Sequence, residues 1–260
     1  MYGLFKSNDK NQEIYGHTDL LDSDFIRNIQ SGKLKDLNSA IDNFYFLQAA
    51  FFDFIIKNFN YDHVVEAGSY EGKLIAYLAH NNPDVTFLGY DLNPSLEKLN
   101  SVYKKDNLTF HPKLFDKDEI PKLKGKKTLF ITKGTLAVIQ DGILKDLLNQ
   151  LSTNEIDIAL AEPCGYTLNR KSHLCFINKG NLLYSHPYSI ILKKLGYNII
   201  YDSQSATLSY LYQPIQPYYL TFCFASKTYK KEFENSEWQN MLNIQTDLSK
   251  KEDNKWLRQQ

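Results

Sequence analysis

The chain has 260 residues, 43% of them hydrophobic and 23% charged, with 30 Lys and Arg against 30 Asp and Glu. That is the make-up of a folded globular protein. Zero formal charge argues against a dedicated nucleic-acid binder, which needs a basic surplus to neutralise phosphates. Cys164, Cys175 and Cys223 are too few and too scattered for a disulfide framework or a zinc cage, and they read as reduced thiols of a cytoplasmic protein.

The opening stretch, MYGLFKSNDKNQEIYGHTDLLDSDF, has neither the apolar core nor the small-residue cleavage site of a signal peptide. No segment reaches the roughly 20 apolar residues of a bilayer span, so no membrane association is expected. Residues 1 to about 38 are polar, with one short helix expected around Leu20 to Ile29. From Ala40 to Phe59, Phe44, Leu47, Phe51, Phe54 and Ile55 recur at helical spacing, which predicts an amphipathic helix with one buried face. Residues 1–60 thus read as an N-terminal helical cap.

Strands and helices then alternate. His63 to Ala67 reads as a strand and Lys73 to His80 as a helix, stopped by Asn81-Asn82-Pro83. Val85 to Tyr90 is a second strand. Asn93 caps a helix with Pro94 at its first position, continuing over Ser95 to Tyr103. Leu108 to His111 and Thr128 to Thr132 are strands, Gly142 to Leu151 a helix, and Asp157 to Ala161 a fifth strand that Pro163 should turn out of the sheet. A loop follows, then a helix over Pro187 to Leu195 and strands over Tyr197 to Tyr201 and Tyr219 to Ala225. No helix pattern lies between those last two, so the final strand is expected to be antiparallel. The pattern predicts an α/β fold: a Rossmann-like, seven-stranded, mostly parallel sheet over 61–226 with helices on both faces, and a charged tail over 227–260. Lys122 to Lys127 reads as a solvated basic turn.

In such sheets ligands bind beyond the carboxyl ends of the strands, beside the first. There the chain reads Glu66-Ala67-Gly68-Ser69-Tyr70-Glu71-Gly72. Gly68 and Gly72 suit a sharp turn, and a ligand could approach their backbone; an ordinary strand–helix turn would use them equally. Tyr70 and Lys73 stand where a dinucleotide fingerprint needs glycine, and no phosphate loop is present. Asp91, at the tip of the second strand, can accept both hydroxyls of a ribose; capping the Pro94 helix is its plainer role. Two acids with no phosphate-binding lysine suit a cationic ligand that carries a ribose.

VVEAGSYEG and FLGYDLNP resemble the first two motifs of the class I S-adenosylmethionine-dependent methyltransferases, in the variant with Tyr at the middle glycine (G-x-Y-x-G). The resemblance spans about residues 61 to 226. It implies S-adenosylmethionine as methyl donor, with Gly68, Tyr70 and Gly72 around its methionine part and Glu66 beside its ammonium. It also implies Asp91 on the ribose, Leu92 on adenine, Phe115 and Asp116 bordering the adenine, and Lys133 where the chain wraps the cofactor after strand four. Asp116 reads equally as a surface loop acid. No asparagine-proline-proline-aromatic motif follows strand four, which argues against methylation of nucleic-acid bases.

Methyl transfer relies on holding the acceptor in line with the methyl, helped by a base where the acceptor must lose a proton. His186, just before a helix, is the first candidate, expected to be kept neutral by the helix N-terminus. His173 in the preceding loop is the second, and Glu162 at the end of strand five is an acid for the acceptor. A capping or packed histidine, and a plain loop carboxylate, are the alternatives. The expected activity is methylation of a hydroxyl or amine on a small molecule such as a sugar or other metabolite, without metal and without nucleic-acid partner. The alternatives are an RNA or protein acceptor and a non-catalytic binding module.

Overall fold

A computed structural model describes residues 24–31, 43–164, 173–178, 181–205 and 219–230. Helix α1 (Asp24–Gln30) is short. Helix α2 (Asn43–Phe59) buries Phe51 and Ile55 of the face its periodicity predicts, together with Phe52 and Ile56, while Phe54 is part-buried; the side chains of Phe44 and Leu47 lie outside the described residues. There follow β1 (His63–Ala67), α3 (Lys73–Asn81) and β2 (Thr86–Tyr90). Asn93 then caps the next segment as expected: its side chain accepts the Ser95 N–H at 2.9 Å. That segment begins as a 3-10 turn (Pro94–Lys98) and becomes α-helical only at α4 (Leu99–Tyr103). After β3 (Leu108–His111) and β4 (Thr128–Lys133) come a 3-10 turn over Leu136–Val138, α5 (Asp141–Thr153) and β5 (Asp157–Cys164). The described chain ends with β6 (His173–Asn178), β7 (Asn181–Ser185), α6 (Tyr188–Lys194), β8 (Asn198–Ser205) and β9 (Tyr219–Ser226).

Seven of these strands form one sheet in the order β3-β2-β1-β4-β5-β9-β8. β9 runs antiparallel to both neighbours, and the other pairings are parallel. This is the Rossmann-like arrangement that the alternation predicts. The chain order reverses about β1, between β2 and β4, so the ligand crevice of such a sheet lies at the carboxyl tips of β1, β2 and β4.

Side chains alternate across the sheet with period two. Val64, Leu129, Ile131, Ala159, Phe222 and Phe224 face the layer of α2 and α3. Val65, Phe130, Ile158, Leu160 and Cys223 face α5 and α6, packing with Leu144, Leu148 and Leu192. At the edge opposite the crevice, buried Asp157 accepts from Tyr61 Oη at 2.8 Å, Ser226 Oγ at 2.9 Å and Lys227 N at 2.8 Å. Lys127 adds a bridge there, donating to Phe59 O and Tyr229 Oη and lying over the Tyr61 and Tyr229 rings. These bonds tie the ends of α2, β1, β4, β5 and β9 together, away from the site.

Two expectations are corrected. β5 does not leave the sheet at Pro163: Glu162, Pro163 and Cys164 stay paired with Thr221, Leu220 and Tyr219 of β9. Its pairing with β4 ends at Ala161, so beyond that point β5 is an edge on one side and can accommodate a residue without N–H. The stretch after β5, read as a loop, contains an antiparallel hairpin of β6 and β7.

Candidate functional site

Three residues of the turn after β1 have positive φ: Gly68 (77°), Tyr70 (47°) and Gly72 (72°). The turn is held to the next strand by Gly68 N–H and Ser69 N–H, which both donate to Tyr90 O at 2.8 and 3.0 Å. The space beside each glycine is filled by the chain itself, which alters the role expected for them. A Cβ on Gly68 would meet Thr135 Oγ1 at 2.0 Å, and one on Gly72 would meet Phe110 Cζ at 2.5 Å. Glycine is required at both places by left-handed backbone and by close packing of these side chains. Gly134, just past β4, is by contrast open: a Cβ there would meet nothing within 4 Å.

Asp91 joins the two strand tips. Its Oδ2 accepts the Tyr70 N–H at 3.0 Å and its Oδ1 accepts the Asn93 N–H at 3.0 Å. Asp91 is part-exposed, and each carboxylate oxygen can accept a second hydrogen bond. Tyr70 and Leu92, either side of this carboxylate, are 53% exposed, the exposed large hydrophobic residues among those described. They offer apolar surface next to an acceptor for hydroxyls.

Glu66 lies one residue inside the end of β1 and is buried, and its Oε2 has no hydrogen-bond partner among the described residues. Burial pushes its carboxyl up to about 8; Lys133 opposes that rise and Asp91 adds to it. Lys133 ends β4 and is half-buried. Ser69 Oγ, beneath the same turn, is likewise buried without a partner among the described residues. The first-motif acid, the second-motif acid and Lys133 are therefore one electrostatic cluster at three strand tips.

The loop after β3 is organised differently from expectation. Phe115 is buried between the rings of Tyr90 and Phe130, at centroid distances of 5.1 and 5.5 Å, so it supports the loop from within the core. Asp116 Oδ1 accepts the Asp118 N–H at 2.9 Å, which makes this half-buried acid a cap of its own turn. Sequence reasoning missed Glu119, which accepts from Tyr90 Oη at 3.1 Å, Lys113 Nζ at 2.8 Å and Lys122 Nζ at 2.6 Å. Its burial acts to raise the carboxyl, but the two lysines and Tyr90 outweigh this and hold it at about 2. The alternation of Lys113, Glu119 and Lys122 in sequence was the available signal.

Of the residues expected on the acceptor side, Glu162 is fully buried within β5. Its Oε1 accepts the Thr135 N–H and its Oε2 the Ala137 N–H, both at 3.1 Å, beneath the turn that follows β4. Burial raises its carboxyl and these bonds oppose the rise. His186 is buried two residues before α6, and its Nε2 lies 2.9 Å from Ile139 O. A carbonyl only accepts, so Nε2 carries the proton. The imidazole is kept neutral mainly by burial, where a helix N-terminus was expected to do so. Its ring stacks on Tyr184 at 5.4 Å. His173 opens β6, opposite Ser185 of β7; its side chain lies outside the described residues.

Among the described residues no group of three or more His, Cys, Asp or Glu is placed to hold a metal ion. No helix among them is long and apolar enough to cross a membrane.

No family model and no curated protein matches the chain in sequence. Solved structures do match in fold. One is the 1,6-didemethyltoxoflavin-N1-methyltransferase of Burkholderia thailandensis, solved with 1,6-didemethyltoxoflavin and S-adenosylhomocysteine. It is 13% identical, with 80% of this chain and 87% of that one covered at a TM-score of 0.50. Another is the magnesium protoporphyrin IX methyltransferase of Synechocystis PCC 6803 with bound S-adenosylhomocysteine. It is 18% identical, with 87% and 97% covered at a TM-score of 0.47. Likeness at such identity speaks to architecture alone. The chain has the Rossmann-like fold of the S-adenosylmethionine-dependent methyltransferases.

Proposed function

We propose that the chain is an S-adenosylmethionine-dependent methyltransferase whose acceptor is a hydroxyl or amine of a small molecule such as a sugar or other metabolite. The observation that carries the reading is the pair Glu66 and Asp91, carboxylates at the tips of adjacent parallel strands on either side of one glycine turn. A buried carboxylate oxygen without a partner is costly, and an ammonium beside Glu66 Oε2 would satisfy it. Asp91 would take the ribose hydroxyls, with Leu92 and Tyr70 offering apolar surface to the adenine and methionine parts. The donor set fits a ligand that is cationic at one end and carries a ribose, with no phosphate.

When bound, that cofactor supplies a methyl group already activated toward displacement. The contribution of this chain is to bind and orient: two acids fix the ends of the ligand, and the turns after β1 and β4 set where an acceptor can enter. Titration calorimetry of the purified chain with S-adenosylhomocysteine tests the first part. Transfer of labelled methyl from S-adenosylmethionine to a metabolite pool, with and without a chelator, tests the second. Transfer to metabolites that survives chelation supports a metal-independent small-molecule enzyme. Label found only on protein or RNA would overturn the acceptor class, and binding without transfer to any pool would mark a non-catalytic module.

A further inference from the structure

The turn after β4 is gripped from below by two buried groups. Glu162 accepts the N–H groups of Thr135 and Ala137, each at 3.1 Å, and His186 Nε2–H donates to Ile139 O at 2.9 Å. A carboxylate suits the first task because it presents two acceptor oxygens and no donor to two N–H groups on alternate residues. Neither oxygen of Glu162 reaches solvent, so this acid is not available to an acceptor molecule.

Thr135, fixed in this way, lies directly against the glycine turn of β1. Its Oγ1, Cγ2 and Cβ occupy the space where a side chain of Gly68 would stand, at 2.0, 2.7 and 2.9 Å from the position of a Cβ. The turn itself hangs on Tyr90 O through Gly68 N–H and Ser69 N–H, and on Asp91 through Tyr70 N–H. A contiguous path of packed atoms and hydrogen bonds thus runs from the tip of β5, through Thr135, to the turn that separates Glu66 from Asp91.

We propose that Glu162 is a positioning residue for the cofactor turn: acting through Thr135, it fixes where the Gly68–Gly72 backbone sits, while His186 pins the far end of the same post-β4 turn. This inference rests on the methyltransferase reading for its functional consequence, and on geometry alone for the coupling. It separates Glu162 and His186 from any direct part in proton transfer.

The test is amide hydrogen exchange on the full chain without ligand, followed by calorimetry with S-adenosylhomocysteine. Glu162→Gln keeps one acceptor and turns an NH2 toward the second N–H. Exchange at Thr135 and Ala137 should then rise about tenfold, and exchange over Gly68–Gly72 should rise with it. Amides beside Asp157 at the opposite edge should not change. Affinity for S-adenosylhomocysteine should fall about tenfold in the folded variant. Thr135→Ala retains the N–H bond to Glu162 but removes Oγ1 and Cγ2, leaving only Cβ beside Gly68. It should loosen Gly68–Gly72 and weaken the ligand while leaving the 135 and 137 amides protected, and it keeps the inference testable if Glu162→Gln fails to fold. Loosening confined to 135–137, with Gly68–Gly72 exchange and affinity as in the wild type, would overturn the inference, as would a Thr135→Ala protein indistinguishable from wild type. A wild-type chain that gives no heat with the ligand refutes the methyltransferase reading instead, and the exchange results then decide the coupling by themselves.

Discussion

Tyr70 and Asp91 lie 21 positions apart in sequence and one hydrogen bond apart in space, with the Tyr70 N–H on Asp91 Oδ2 at 3.0 Å. The same carboxylate takes the Asn93 N–H through its other oxygen, also at 3.0 Å. Asp91 therefore shapes the crevice before any ligand arrives. Asp91→Ala should lower stability by about 1–2 kcal/mol, the cost of leaving the exposed Tyr70 N–H and the part-buried Asn93 N–H to water. Denaturant unfolding checks this, and a protein that stays folded at such a cost is then suitable for ligand titration.

Tyr70 is a bulky residue in left-handed backbone, at φ 47°. Tyr70→Gly should remain within about 1 kcal/mol of wild type, because relief of the left-handed cost is offset by a more flexible unfolded chain. Tyr70→Val, branched at Cβ, should lose about 1 kcal/mol or more. Equal stability of the two variants in urea melts would contradict the backbone assignment.

The three glycines around the crevice should respond unequally to alanine. Gly68→Ala and Gly72→Ala combine positive φ with contacts of 2.0 Å to part-buried Thr135 and 2.5 Å to buried Phe110, so each should cost about 3 kcal/mol or more. Gly134→Ala also has positive φ, at 71°, but opens onto empty space, and should cost only about 1 kcal/mol. Thermal unfolding of the three proteins gives the ranking.

Glu66 makes stability depend on pH. Its carboxyl gives up the proton at about 4.5 when the chain is unfolded and at about 8 when folded. Between those values the folded state holds the extra proton, so stability falls as pH rises, by up to about 1.4 kcal/mol per unit from this group. Asp157 and Glu162 are also raised by burial and slope the same way, so the quantity to measure is the difference between wild type and Glu66→Gln. That difference should shift in favour of the variant steadily from pH 5 to 8. A pH-independent difference would contradict the buried setting of Glu66, with its Oε2 unbonded among the described residues. A cationic ligand favours the ionised form, so its binding near neutral pH should release protons, detectable as a buffer-dependent binding heat.

The sequence made the sheet readable where burial and periodicity coincide. HVVEA occupies the whole of β1 because a central parallel strand is apolar on both faces, and the missing crossover helix announced the antiparallel β9. Asn93 was legible because capping acts over a few residues, and the place of Asp91 just past β2 followed from the strand pattern that ends at Tyr90. Pro163 misled because edge status, which lets a proline remain in a strand, depends on where β4 stops pairing. The β6–β7 hairpin left a signal in Asn178-Lys179-Gly180-Asn181 between two apolar runs, outweighed by the polar residues before it. Glu162 could be placed at a strand tip but not oriented: whether such an acid faces solvent or the N–H groups of a neighbouring turn is set by strand pleat and by the path of the chain after β4. Thr135 beside Gly68 is a contact between turns far apart in sequence, with no local pattern to mark it.

The opposite edge of the sheet should matter for stability and not for binding. Tyr61→Phe removes one of three donors from buried Asp157 and should cost about 1–2 kcal/mol, while affinity for S-adenosylhomocysteine stays unchanged. A marked loss of affinity in this variant would mean that the two ends of the sheet are not independent.

The most direct test is calorimetric titration of S-adenosylhomocysteine into the wild-type chain and into folded Asp91→Ala. Saturable one-site heat in the first, weakened at least tenfold in the second, is the predicted result. No heat from the wild type, or equal binding by both proteins, would contradict a site built on the carboxylates of Glu66 and Asp91.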